Sequence, residues 1–181
     1  RAKDRGLSVT AETCPHYLTL TDEAVKGYDT NTKVNPPLRP APDRDAVRGG
    51  LRDGAIDVIA SDHVPQHVTD KEQDYVAAAP GMIGLETGLG VSLQLYHEGL
   101  LSLPRLVAAY TSGPARILGL PLGTLRVGEP ADITLVDPEH IIEVRAGALR
   151  SLSRNSPFLG RRLRGAAMAT IVGGRFIFER K

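Results

Sequence analysis

A short apolar run that ends in a polar pair limits the folds open to this chain. Residues 56–61 are mainly apolar and β-branched, which predicts a short buried strand, and Asp62 and His63 follow it directly. A helical pattern at residues 43–52 precedes this strand, a short predicted strand at residues 32–35 precedes the helix, and an alternating strand pattern at residues 7–13 comes earlier. The order strand, helix, strand indicates parallel α/β units. In such folds, ligands and catalytic groups gather where the strands end.

Asp62 is therefore the first candidate for chemistry. A carboxylate in this position can bind a divalent metal ion, carry a proton, or do both. The alternative is that Asp62 only caps the segment that follows, and the strand by itself favours neither role over the other.

Three loops that follow predicted strands carry further polar side chains. These are His16 in the first loop, Asn35 and Arg39 in the second, and Asp62, His63 and His67 in the third. In a barrel of parallel strands such loops share one face. A catalytic zinc ion takes about three protein ligands, so Asp62 alone cannot hold one, and the three histidines could complete the set. The alternative for each histidine is a hydrogen-bonded loop residue without a ligand role.

The chain divides into two parts by pattern. Residues 1–121 alternate strands and helices and include a long loop at residues 62–84, whose length and position favour a functional role. Residues 122–181 have short strands and end in a predicted hairpin at residues 167–178 with Gly173-Gly174 as its turn. Further helices are predicted at 85–98, 102–110 and 113–118, and further strands at 32–35, 123–125, 131–136 and 141–144.

Charge, cysteine content and the length of apolar runs exclude several classes of protein. A formal net charge of +1 argues against a nucleic-acid binder. The single cysteine, Cys14, excludes an internal disulfide and fits a cytoplasmic setting. No apolar run is long enough to span a membrane, and no signal peptide is visible. The chain opens without methionine, in what reads as the last turn of a helix ending at Gly6, so we expect it to be a fragment.

Five motifs in order carry a resemblance to a known family. They are Glu12–Leu18, Lys33–Arg39, Asp57–His63, Pro80–Thr87 and Ser153–Gly160. In sequence and spacing they resemble the bacterial-type dihydroorotases of the amidohydrolase superfamily, over nearly the whole chain. Allantoinases are similar around the first motif and fit less well at the second and fourth.

The resemblance implies both a fold and a reaction. The expected fold class is α/β: the C-terminal part of a (β/α)₈ TIM barrel of the metal-dependent hydrolase type, plus part of a small β-sandwich. In this family zinc activates a water for attack on the cyclic amide of dihydroorotate, giving N-carbamoyl-aspartate, and pyrimidine biosynthesis uses the reverse direction.

The resemblance also assigns residues. Asp62 matches an aspartate that binds the metal and moves the proton from the water to the leaving nitrogen. Asn35 matches a substrate-binding asparagine, and Pro80 and Gly81 match a loop whose backbone contacts the substrate ring. His16 matches no metal ligand, so a structural role is expected for it.

The third loop departs from the family pattern. Where the family usually has a substrate-binding histidine, this chain has Gln66, and His67 lies one residue later. Either His67 reaches the substrate, or Gln66 replaces the histidine without its charge. If Gln66 replaces the histidine, we expect either an enzyme that binds substrate more weakly or an inactive relative of the family.

The other metal ligands of the family lie upstream of Arg1, so we expect this chain to be inactive alone. Its expected partners are the small-molecule substrate and the missing N-terminal half. A homodimer and a complex with aspartate transcarbamoylase are left open, and no nucleic acid or membrane partner is expected. The alternatives are a catalytically impaired, dihydroorotase-like scaffold for aspartate transcarbamoylase and an allantoinase-like cyclic amidase.

Overall fold

A parallel pair of strands lies at the centre of the first part of the chain. In the computed structural model, which describes residues 1–180, β1 (Glu12–Thr13) pairs with β2 (Val58–Ile59). The parallel orientation was predicted, but the direct pairing of these two strands was not. Both strands are shorter than the predicted segments. One backbone hydrogen bond continues the ladder at each end, from Asp57 N to Ala11 O at 2.9 Å and from Ala60 N to Thr13 O at 2.8 Å.

The helix between these strands, α1 (Ala41–Asp53), runs close to its predicted bounds. Pro42 lies in its first turn, where no backbone N–H is needed, and Gly54 ends it in a left-handed conformation with φ 82°. Arg105 then fixes the turn into β2, since its guanidinium donates to the carbonyls of Leu51 and Ile56 at 3.0 and 2.9 Å.

Four more α-helices occur within residues 1–180. They are α2 (Val68–Lys71), α3 (Gly88–His97), α4 (Leu103–Tyr110) and α5 (Ser112–Ile117). The last three match the predicted helices, whereas α2 lies inside the loop that was predicted to be irregular. Short 3₁₀ segments occur at Lys3–Arg5, Pro15–Leu18, Asp22–Val25, Thr30–Thr32 and Ala146–Ala148.

No helix among residues 1–180 combines the length and the apolar character that a bilayer crossing requires.

The second part of the chain is an antiparallel sheet in the order β3-β4-β5. Its strands are β3 (Ile133–Glu143), β4 (Arg162–Val172) and β5 (Arg175–Glu179). The predicted hairpin with its Gly173-Gly174 turn is confirmed. The two strands predicted at 131–136 and 141–144 form one strand instead, with a register shift between Asp137 and Ile141. No strand forms at 32–35 or 123–125 in the described part of the chain.

The two parts pack closely through α3 and β4. A Cβ on Gly90 would lie 3.1 Å from the carbonyl oxygen of Gly165, and a Cβ on Gly165 would lie 2.2 Å from Leu93. One buried cluster draws Met82 and Val91 from the first part and Phe158 from the second. The division of the chain into two domains between residues 121 and 122 stays a prediction. The apolar cluster contains residues from both sides of that boundary.

Candidate active site

Asp62 directly follows the β2 segment and has an unusual backbone. Its φ is 45°, in the left-handed region that few residues other than glycine adopt. The side chain is 34% exposed, and it accepts no hydrogen bond from any group in residues 1–180. A strained, unpaired carboxylate at the end of a parallel strand is typical of a functional site rather than of a cap.

His16 lies beside this carboxylate. It follows β1 in a 3₁₀ segment, is only 2% exposed, and places Nε2 at 3.6 Å from Asp62 Oδ2. Burial lowers the pKa of His16 to about 4, although the nearby Asp62 carboxylate acts in the opposite direction. His16 is therefore a neutral imidazole at neutral pH, placed against Asp62 by the parallel pairing of β1 and β2.

Cys14 completes a group whose ligand atoms all lie within 4.8 Å of one another. Burial, with a smaller contribution from Asp62, raises the pKa of the Cys14 thiol to about 12, so the thiol stays protonated. The Asp62 carboxylate and the neutral imidazole are donors that suit a divalent metal ion. Two such donors are fewer than a catalytic zinc ion takes, and no second cluster of this kind occurs within residues 1–180.

The other two histidines proposed as ligands have other contacts. His63 Nδ1 accepts hydrogen bonds from the backbone N–H groups of Gly84 and Leu85 at 3.1 and 3.4 Å. His67 caps α2, with Nδ1 at 2.8 Å from Thr69 Oγ1. Of the three histidines, the structure brings His16 alone next to Asp62, and that is the one for which the family pattern gave a structural role.

Gln66 lies against the loop that carries the expected substrate contacts. Its Nε2 donates to the carbonyl of Pro80 at 2.9 Å, and its backbone N–H donates to Asn155 Oδ1 at 3.3 Å. This contact gives Gln66 a role in holding the loop. A direct contact of Gln66 or His67 with substrate stays a prediction.

The segments that carry Asn35 and Gly81 are joined by one backbone hydrogen bond. Gly81 N donates to the carbonyl of Lys33 at 2.8 Å, two residues before the exposed Asn35. Gly81 itself is buried, while Pro80 beside it is exposed. The two segments predicted to bind substrate are thus neighbours, and the roles of Asn35, Pro80 and Gly81 stay predictions.

Asn155 and Lys71 hold the Gly81 loop through hydrogen bonds to its backbone carbonyls. The sequence did not predict this role for either residue. Asn155 is 4% exposed and donates from Nδ2 to the carbonyls of Val64 and Gly81 at 2.9 and 3.0 Å. Lys71 is 7% exposed and donates to the carbonyls of Ala79 and Gly81 at 2.8 and 3.2 Å. Burial lowers the pKa of Lys71. These contacts fix the loop because buried carbonyls left unpaired would be costly.

Replacing Asn155 with aspartate is expected to destabilise the protein by about 2–3 kcal/mol. The change keeps the shape but removes both N–H donors. The Val64 carbonyl then loses its partner, the Gly81 carbonyl keeps only Lys71, and both carbonyls face a carboxylate. Urea unfolding measures the loss. Asn31→Asp is the matched control, since the Asn31 side chain forms no hydrogen bond within residues 1–180, and equal unfolding of the two variants would contradict the role given to Asn155.

Comparison with known proteins identifies the class. Residues 3–177 match the amidohydrolase family, so the chain belongs to that family. The dihydroorotases of Geobacter metallireducens and Pelobacter propionicus are each 53% identical to it over 179 residues. Each alignment covers 99% of this chain and 42% of the relative, so the chain spans about two fifths of these proteins' length. The predicted resemblance to dihydroorotases is confirmed.

Solved structures agree with this assignment. L-hydantoinase (dihydropyrimidinase) from Arthrobacter aurescens matches with a TM-score of 0.93 and 37% identity, over 98% of this chain and 41% of that one. A D-hydantoinase matches with a TM-score of 0.89 and 31% identity, over 99% of this chain and 41% of that one. The predicted fold class, part of a metal-dependent hydrolase of the barrel type, is confirmed.

Proposed function

We propose that this chain forms the C-terminal part of a zinc-dependent dihydroorotase, which interconverts dihydroorotate and N-carbamoyl-aspartate in pyrimidine biosynthesis. The observation that carries the proposal is the unpaired Asp62 carboxylate, which follows a parallel strand and lies beside a buried imidazole. The 53% identity to dihydroorotases over almost the whole chain supports this choice of substrate.

Asp62 has two roles in this proposal. When bound, zinc lowers the pKa of its water and polarises the amide carbonyl. Asp62 would bind the metal through its carboxylate and accept the proton that the attacking water loses. As the ring C–N bond breaks, Asp62 gives that proton to the leaving nitrogen, so the carboxylate returns to its starting state. The carboxylate suits this exchange because no cationic side chain within residues 1–180 forms a hydrogen bond with its oxygens, and the neighbouring His16 ring is neutral.

The remaining proposed contacts orient the substrate. The Asn35 amide can both donate and accept, as the edge of a dihydropyrimidine ring requires. The backbone of Pro80 and Gly81 would face the ring from the loop that Asn155 and Lys71 hold in place. Fixed groups of this kind favour the reaction because the substrate is oriented before the water attacks.

The chain alone is expected to be inactive. Asp62 provides one ligand, fewer than a catalytic zinc ion takes, and the rest would come from the part of the protein that corresponds to the unmatched length of the relatives. A homodimer or a complex with aspartate transcarbamoylase stays a prediction.

We expect the complete protein that carries this chain to convert dihydroorotate to N-carbamoyl-aspartate, and the isolated 181-residue chain to show no turnover. Chromatographic detection of N-carbamoyl-aspartate, with bound zinc measured on the same samples, checks both statements. The Geobacter metallireducens dihydroorotase serves as positive control. A folded, zinc-loaded complete protein that leaves dihydroorotate unchanged would contradict the proposal, as would turnover by the isolated chain with bound zinc.

A second candidate is a hydantoinase-type activity on a related cyclic amide. The fold match to the Arthrobacter aurescens L-hydantoinase, with a TM-score of 0.93, favours it. Dihydroorotate carries a carboxylate that hydantoin lacks, so relative kcat/KM values for dihydroorotate, hydantoin, dihydrouracil and allantoin decide between the two. A preference for hydantoin would replace the first candidate with the second.

A further inference from the structure

The His16 ring combines deep burial with a missing hydrogen bond. Its Nε2 is buried and has no hydrogen-bond partner, a condition that it shares with His97 among residues 1–180. A buried polar atom without a partner costs about 1–3 kcal/mol, so such an atom needs an explanation. Tyr17 packs beside the ring, with the two ring centroids 4.1 Å apart, and this contact limits the freedom of the imidazole.

The unpartnered nitrogen faces the strained residue of the site. Asp62 Oδ2 lies 3.6 Å away, just beyond hydrogen-bond distance, and the Asp62 backbone has φ 45°. Tyr28 shares the feature of a positive φ without being glycine, and His97 shares the unpartnered nitrogen. In the described chain the two features meet only at His16 and Asp62, which are 46 positions apart in sequence and joined by the β1–β2 pair.

We propose that His16 is a positioning residue for Asp62, and that its Nε2–H donates a hydrogen bond to the carboxylate in the working enzyme. This inference rests on the proposed function. A carboxylate that binds a metal while it exchanges a proton must not rotate freely. Carboxylates that bind metals are commonly held by a further hydrogen bond, and loss of such a bond typically costs about 10–100-fold in metal affinity or activity. A buried donor on a packed ring can supply that constraint.

The test compares substitutions that keep or remove the donor. In His16→Gln the amide N–H reaches about as far from the backbone as Nε2 does, whereas His16→Leu fills similar space without a donor. In the complete protein we expect His16→Leu to lower both zinc affinity and kcat by about 10–100-fold, with KM within about twofold of its original value. His16→Gln is expected to recover both quantities to within about threefold of wild type.

His16→Asn covers the case in which the leucine variant does not fold. Its amide is polar but ends short of the Nε2 position, so we expect it to behave as a variant without the donor. Equal zinc affinities in the glutamine variant and in a variant without the donor would overturn the inference. Equilibrium dialysis with zinc gives this ranking whatever the substrate, while turnover by the wild-type protein tests the proposed function separately.

Discussion

Asp62→Asn in the complete protein is expected to reduce hydrolysis of dihydroorotate by about 10³-fold or more, because proton transfer alone contributes 10²–10⁴-fold and the metal loses a ligand as well. The substitution keeps the size of the side chain. It replaces a carboxylate oxygen by an amide group that cannot accept the proton of the attacking water. Single-turnover and steady-state rates measure the loss.

The matched control for this substitution lies eight positions further along the same loop. Asp70 is exposed in the first turn of α2, and none of the described hydrogen bonds involves its side chain, so Asp70→Asn should keep the wild-type rate. Zinc content should fall in the Asp62 variant and not in the Asp70 variant. A folded Asp62→Asn protein with wild-type turnover would exclude this carboxylate from the reaction.

Gly81→Ala is expected to destabilise the complete protein by about 3 kcal/mol, combining backbone strain with overpacking. Gly81 has φ 122°, which side chains with a Cβ rarely adopt. An added Cβ would also lie 2.6 Å from Cγ1 and 2.7 Å from Cβ of Val64. Since Val64 follows Asp62 and His63, the loop would be displaced from the strand end that carries the site. Thermal unfolding measures the stability, and KM for dihydroorotate reports on the loop.

Gly27→Ala separates strain from crowding. Gly27 also has a positive φ, of 91°, but a Cβ there would meet nothing within 4 Å. Its substitution should therefore cost only the strain, about 1–2 kcal/mol, and leave KM unchanged. If the two alanine variants unfold alike and have the same KM, the close approach of Gly81 to Val64 does not shape the site.

Patterns local in sequence predicted most of the elements. Helices α1, α3, α4 and α5 were predicted from the spacing of apolar residues and from residues that end or begin a helix. Gly54 ends α1, and the Ser102 hydroxyl caps α4 by accepting a hydrogen bond from Arg105 N. The strands of the first part, at residues 7–13 and 56–61, were predicted too long because an apolar or alternating run indicates an extended backbone, whereas a strand also needs a partner. Residues 32–35 show the difference. The Lys33 carbonyl bonds to Gly81 of a loop and not to a neighbouring strand.

The site was harder to predict because its contacts join distant parts of the chain. Asp62 could be chosen from its position after a strand, and the family pattern supported that choice. The placement of His16 beside it depends on the register that pairs Thr13 with Ile59, which no local pattern gives. Asn155 is separated from Gly81, to which it donates a hydrogen bond, by an even longer stretch of sequence, 74 positions. A sequence signal existed in both cases, since each residue lies in one of the five motifs, but a motif does not state what its side chains contact.

The bonds from Asn155 bear on how specificity in such enzymes can be engineered. Its amide joins the C-terminal segment to both ends of the loop at residues 62–84, through Val64 and Gly81. A graft of that loop alone into another scaffold would leave behind the residue that shapes it. Under the proposed function, a transfer meant to change substrate choice needs the loop together with the segment around Ser153–Gly160, because Asn155 bonds to both Val64 and Gly81.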